Sequence, residues 1–125
     1  MPTATKQEII RALFAAYMSN DRKAIENSFT DDFRFTTPYD DRIDKATYFE
    51  RCWKASDWIE RQELEKILVE GDEAFVTYEV VTKEGKRFRN TEFLVFDGDR
   101  IKRISRSRKD ELLQAPSQVG GAVPE

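Results

Sequence analysis

The stretch Phe29-Thr30-Asp31-Asp32-Phe33-Arg34-Phe35-Thr36-Thr37-Pro38 decides the fold of this chain, because the hydrophobic period changes across it. Before it, apolar residues recur at helical spacing. Within it, Phe33 and Phe35 alternate with Arg34 and Thr36, the period of two expected of a half-buried strand. Pro38 then stops the strand, since it has no N–H to give to a central ladder.

Upstream, Ile9, Ile10, Leu13, Phe14, Tyr17 and Met18 make one wide apolar face of a helix over residues 5–19. Thr5 and Glu8 have the spacing of a capping box at its start. Asn20-Asp21 breaks this helix, and Asp21 caps a shorter one, to about Ser28, that buries Ile25 and Phe29. Downstream, Tyr39 to Arg42 is a polar turn. Asp44 caps a third helix to about Ala55, with Tyr48, Phe49, Cys52 and Trp53 on one face.

Four segments of strand character follow, 58–70, 73–83, 86–96 and 99–108. Gly71-Asp72, Glu84-Gly85 and Asp97-Gly98 separate them as hairpin turns do. Helices first and strands after predict an α+β fold, with an antiparallel meander curved around a helical layer and the early strand pairing at one edge. Residues 1–113 are expected to form a single domain, and 114–125, rich in Pro and Gly, a flexible tail.

Composition narrows the chemistry. Twenty-four acidic residues against 21 basic ones leave a net charge of −3, which argues against broad binding to nucleic acid or to an anionic membrane. The basic run from Arg100 to Lys109 contains no aromatic residue to stack on a base, and is expected to be a solvated edge strand. With no histidine, Ser-His-Asp and Cys-His catalysis are excluded and a zinc or iron site is not expected. Cys52 is the single cysteine, so no internal disulfide forms, which suits a reducing cytoplasm. The N-terminus lacks the apolar core of a secretory signal, and no apolar run is long enough to span a bilayer. No phosphate-loop or dinucleotide glycine pattern occurs, so no cofactor is expected.

The order helix, Asn20-Asp21, short helix, Phe29 to Pro38, helix and hairpin sheet, ending in Phe96-Asp97-Gly98-Asp99-Arg100-Ile101, resembles the nuclear transport factor two-like superfamily. Within it, the chain is most similar to the SnoaL-like and ketosteroid-isomerase-like branch, over about residues 6–108. The resemblance implies a cone-shaped α+β barrel with one small-molecule pocket between the helices and the concave sheet face. It also implies a homodimer joined through the outer sheet faces.

Against ketosteroid isomerases, the position of the general base falls at Thr37 and that of the oxyanion-binding tyrosine at Leu13. The position of the buried acid falls at Glu92. Threonine cannot shuttle a proton near neutral pH, so that isomerase reaction is not expected.

With the register this resemblance implies, Glu92 shares its face with Asn90 and Leu94, with Phe75, Thr77 and Glu79 on the preceding strand, and with Arg106 on the last. Leu13, Tyr17, Phe33, Phe35, Thr37, Phe49 and Trp53 are expected to face the same space from the first half of the chain. Glu92, Glu79, Arg106 and Tyr17 are the candidate catalytic groups of a possible isomerase, cyclase, dehydratase or hydrolase step. Buried carboxylates beside arginine are also common as purely structural pairs, which leaves a non-catalytic binding or protein-interaction module as the alternative. Ala74, Val76, Tyr78 and Val80, with Thr91, Phe93, Val95 and Ile101, are expected to form an apolar outer face that a second copy covers.

Overall fold

A computed structural model describes residues 5–53 and 57–108 of the chain. The elements run α1 (Lys6–Met18), α2 (Arg22–Ser28), β1 (Phe29–Thr36), β2 (Ile43–Asp44), α3 (Lys45–Cys52), β3 (Ile59–Glu70), β4 (Glu73–Thr82), β5 (Arg87–Asp97) and β6 (Arg100–Arg108). The expected tail over 114–125 lies outside the described residues.

Local chemistry sets the helix starts. Thr5 and Glu8 form the reciprocal capping box, at 3.1 and 2.8 Å. Asp21 accepts from the Ala24 N–H at 3.2 Å and Asp44 from the Thr47 N–H at 2.9 Å. Each such cap stabilises its helix by about 1 kcal/mol. α1 ends where Asn20 turns left-handed at φ 60°, a conformation asparagine tolerates better than most residues.

The strands form one six-stranded sheet in the order β2-β1-β6-β5-β4-β3. β3 to β6 are the expected antiparallel meander. Gly71 and Gly98 take φ 59° and 64° at two of its turns, where a side chain would be strained. The sheet is curved but does not close, so the architecture is an open cone rather than a sealed barrel. β1 pairs with β6 in parallel, and the two-residue β2 lies beyond it. β6 is therefore interior to the sheet, which corrects the expectation of an edge strand for Arg100 to Lys109. Ile101 and Ile104 are buried along it. The long free edge is β3, whose charged residues and bulge near Glu65 discourage pairing with another chain.

The core lies between the helices and the concave face. Ile10, Leu13, Phe14 and Ala16 of α1 face it, as do Phe29, Phe33 and Phe35 of β1. Phe29 and Phe33 stack at 3.9 Å, and Tyr48 of α3 meets Phe29, Phe33 and Phe35 edge-on. Burying each such ring stabilises the fold by about 1.5–3 kcal/mol. This aromatic block packs α3 against β1, and its Tyr48 also borders a cavity.

Which face of β4 points inward differs from the expectation. Ala74, Val76, Tyr78 and Val80 are buried on the concave side, while Phe75, Thr77 and Glu79 face outward. The pairing explains it: Val76 lies opposite Glu92 and Tyr78 opposite Asn90, so these four share one face. A shift by one residue exchanges the two faces of a strand. Ile101 is likewise core, not outer surface.

Candidate active site

Between α1, α3 and the concave sheet face lies a cavity of about 390 Å³. Leu13, Phe14 and Tyr17 supply one wall, Tyr48, Cys52 and Trp53 another, and Tyr78, Val80, Asn90, Glu92, Ile104 and Arg106 the sheet side. Its mouth carries Trp58 and Arg51, the latter ion-paired to Asp40 at 2.8 Å. The volume is near the lower end for small-molecule sites, and the lining is mostly aromatic with a few convergent polar groups.

Those polar groups form a connected set. Arg106 Nε donates to Glu92 Oε2 at 2.8 Å, and Tyr78 Oη donates to the same oxygen at 2.7 Å. Asn90 Nδ2 donates to Tyr78 Oη at 3.0 Å. Among the described residues, no donor reaches Glu92 Oε1. The Glu92 side chain is 4% exposed and that of Arg106 32%, and both residues line the cavity. Cross-strand pairing brings them together, since Glu92 and Arg106 are direct partners on β5 and β6. The Phe35 ring lies 4.9 Å beneath the guanidinium and fixes its plane.

The electrostatics follow from burial. Tyr78 is held well above the ordinary phenol range by desolvation; Arg106 opposes this and the Glu92 charge adds to it. Tyr48 is raised in the same way, first by burial. Both remain neutral hydroxyls at any ordinary pH. Burial acts to lower the pKa of Arg106, yet it stands above the ordinary guanidinium value, with the Glu92 carboxylate bonded to it holding it charged. Burial also pushes the Cys52 thiol up, which leaves it a poor nucleophile.

Of the residues singled out from the sequence, Glu92, Arg106, Tyr17, Leu13, Trp53 and Asn90 line this cavity. Glu79 does not: it lies on the outer face and accepts from Arg87 Nη1 at 3.2 Å. Phe75, half exposed, and Thr77 are on that outer face too. Leu94, Phe33, Phe35 and Phe49 are packed in the core instead of lining the cavity. Thr37 builds the turn after β1, its Oγ1 accepting from the N–H groups of Tyr39 and Asp40, both at 3.1 Å.

The sequence reading missed Tyr78, which faces Glu92 directly, and Gln62, Tyr48 and Trp58. Tyr78 was assigned to the wrong face. The signal that finds it is the polar pair Tyr78 and Asn90 brought opposite each other when the Glu84-Gly85 hairpin is closed. Among the described residues, no group of three or more His, Cys, Asp or Glu is placed to hold an ion. No described helix is long and apolar enough to cross a membrane.

An open cone of this kind, with helices against a curved sheet and a polar cluster in its mouth, is the nuclear transport factor two-like architecture. A family model of the SnoaL-like domain matches residues 10–104, and the chain belongs to that family. None of the curated proteins matches it in sequence.

Solved structures share the fold at low identity. An NTF2-like protein of unknown function from Cytophaga hutchinsonii superposes with a TM-score of 0.72 at 16% identity, over 90% of this chain and 98% of the other. A de novo designed protein with a curved β-sheet gives 0.74 at 16% identity, over 96% and 98%. A proposed polyketide cyclase from Sinorhizobium meliloti gives 0.66 at 22% identity, over 82% and 99%. At these identities the likeness establishes the fold alone.

Proposed function

We propose that this protein binds a small, largely apolar molecule in the cavity and carries out an acid–base step on it, with Glu92 as the proton-transferring group. The observation that carries this reading is the Tyr78–Glu92–Arg106 cluster at the wall of an aromatic cavity. Glu92 receives two donors on Oε2, which orients the carboxylate and leaves Oε1 for a substrate proton. When Oε1 takes a proton from a carbon or hydroxyl of the bound molecule, negative charge develops on the substrate. The Arg106 guanidinium beside it balances that charge. Return of the same proton to a different substrate atom completes an isomerisation or ring closure with no external oxidant or reductant. The cyclase description of the Sinorhizobium meliloti structure is compatible with this class of reaction.

The residue at Thr37, turned away into its own hydrogen-bonded loop, takes no part in this scheme. Glu79 is left out for the same reason. Glu92→Gln keeps the shape and should abolish turnover while preserving the fold by circular dichroism; full activity in that variant would sink the assignment. One observation favours a second reading, a purely ligand-binding module: both donors to Glu92 are the protein's own. Under it, ligand binding survives Glu92→Gln and no product forms with either protein.

We also propose that the outer sheet face meets a second copy. Its apolar residues are Leu68, Phe75, Phe93 and Val95, with the Phe75 and Phe93 rings 5.0 Å apart. A solvent-facing sheet side is usually polar. Sedimentation should give a dimer that Phe75→Glu splits; a monomeric wild type at micromolar concentration removes the proposal.

A further inference from the structure

Asn90 is nearly fully buried, at 5% exposure, and among the described residues its Oδ1 has no hydrogen-bond partner. The orientation of its amide is fixed by a chain of forced choices. Arg106 Nε can only donate, so Glu92 Oε2, 2.8 Å away, is an acceptor. The Tyr78 hydroxyl, 2.7 Å from that same oxygen, therefore gives it its single proton. Tyr78 Oη can then only accept from the group facing it at 3.0 Å, which must be the Asn90 N–H. Oδ1 is the end of this relay: Asn90 borders the cavity, and its carbonyl oxygen, buried behind that lining, has nothing to accept from among the described residues. Buried polar groups are paired in the large majority of cases, and an exception on a cavity wall points to a ligand.

Gln62, on the neighbouring strands' inner face opposite Val80, carries a second buried and unpartnered carbonyl oxygen on the same cavity lining. Among the described residues no partner fixes its amide, so it can rotate to offer an oxygen or an N–H. Asn90 cannot rotate without breaking the bond to Tyr78. The two therefore differ in kind: one is a fixed acceptor, the other an adaptable contact. Of the lining charges, Glu92 is matched by Arg106 and Arg51 by Asp40, while Asp57 is exposed to solvent.

We infer that the sheet side of the cavity, through Asn90 Oδ1, recognises an uncharged aromatic or alicyclic ligand by a hydroxyl or N–H donor. This deepens the proposed function, on whose cavity it rests. A ligand offering only ether or carbonyl oxygens leaves Oδ1 unpaired, and a carboxylate would face it acceptor to acceptor. Selectivity of this sort is strong because the mismatched ligand leaves a buried polar group unsatisfied.

The test uses two probes that differ in one proton donor, 2-naphthol and 2-methoxynaphthalene, with binding followed by calorimetry on the intact protein. The naphthol is expected to bind about tenfold more tightly, the effect of one net hydrogen bond. Asn90→Leu should erase that preference, whereas Gln62→Leu should keep most of it. Equal binding of both probes to the wild type overturns the inference while the pocket stands. Preference that survives in Asn90→Leu also overturns it, since the donor is then read elsewhere. Binding of neither probe removes the pocket reading, and the inference with it. Should Asn90→Leu fail to fold, the side-chain carbonyl carbon resonance of Asn90 in the wild type decides: it should move with 2-naphthol and stay with the methoxy compound. No movement with bound naphthol overturns the assignment.

Discussion

Two arginine–glutamate pairs stand on opposite faces of the same sheet. On the concave side, Arg106 meets Glu92 at 2.8 Å with the carboxylate 4% exposed; on the convex side, Arg87 meets Glu79 at 3.2 Å with the carboxylate 21% exposed and the arginine 57%. The chemistry of the partners is identical and the surroundings are not. Outside, water solvates each charge whether or not the pair forms, so its net worth is about 0–1 kcal/mol. Inside, each charge depends on the other and on Tyr78, because water has been displaced by Val76, Ile104 and Phe35. Proximity of opposite charges is thus a poor guide to importance, and desolvation is the better one.

The comparison is best broken from the inside. Arg106→Met should cost about 3 kcal/mol by chemical denaturation, near the low end for an orphaned buried charge because the Arg106 side chain is 32% exposed. A loss below ~1 kcal/mol would place the two pairs in one class.

Next in size is Tyr78→Phe, which removes one charge-assisted hydrogen bond from Glu92 and should cost about 1.5–3 kcal/mol. Its neighbour on the outer face, Thr77→Val, should stay within about 0.5 kcal/mol. Similar losses for the two would mean that the inward face of β4 has been misassigned.

The buried phenols add a pH dependence. Their folded pKa values are raised above the unfolded value of 10.0, so the folded state holds these protons more tightly. The stability they contribute is complete below pH 10 and is lost as pH rises beyond it. In Tyr78→Phe this alkaline loss should be shallower. Tyrosinate absorbance from Tyr48 and Tyr78 should appear only together with unfolding; ionisation of all four tyrosines in a protein that keeps its fold would contradict it.

The smallest effect belongs to the outer pair. Glu79→Gln should change stability by under about 1 kcal/mol, and the change should vanish in high salt. A larger, salt-independent loss would show that this face is covered in solution, as a dimer would cover it.

Much of this was legible in the sequence because it is local. Thr5, Asp21 and Asp44 announce helix starts by the bonds their own side chains make within one turn. Gly71, Gly85 and Gly98 announce turns, because few other residues adopt positive φ cheaply. The alternation around Phe33 and Phe35 announces the strand that joins the two halves of the fold. The pairing of Glu92 with Arg106 rests on the register that the resemblance implies: the turn alone pairs Asp97 with Arg100, which would set Glu92 opposite Ser105, and the irregularity between Val95 and Phe96 shifts it to Arg106.

Tertiary structure alone decided which side of β4 faces inward. Phe75, Thr77, Glu79 and Val81 alternate with apolar residues as regularly as Val76, Tyr78 and Val80 do, so periodicity defines two faces without ranking them. The choice is made by the helices: Phe14 of α1 lies edge-on to Tyr78 at 4.7 Å, and the face that meets α1 is buried from Ala74 to Val80, while Phe75, Thr77 and Glu79 opposite are not. Because Tyr78 completes the Glu92 cluster, the same long-range packing that chose the face also built the site. Contacts so distant in sequence leave no periodic trace, and that is why the sequence yields the fold, two of the site's charged groups and the Asn90 amide, and the folded chain is needed for the hydroxyl that joins the amide to Glu92.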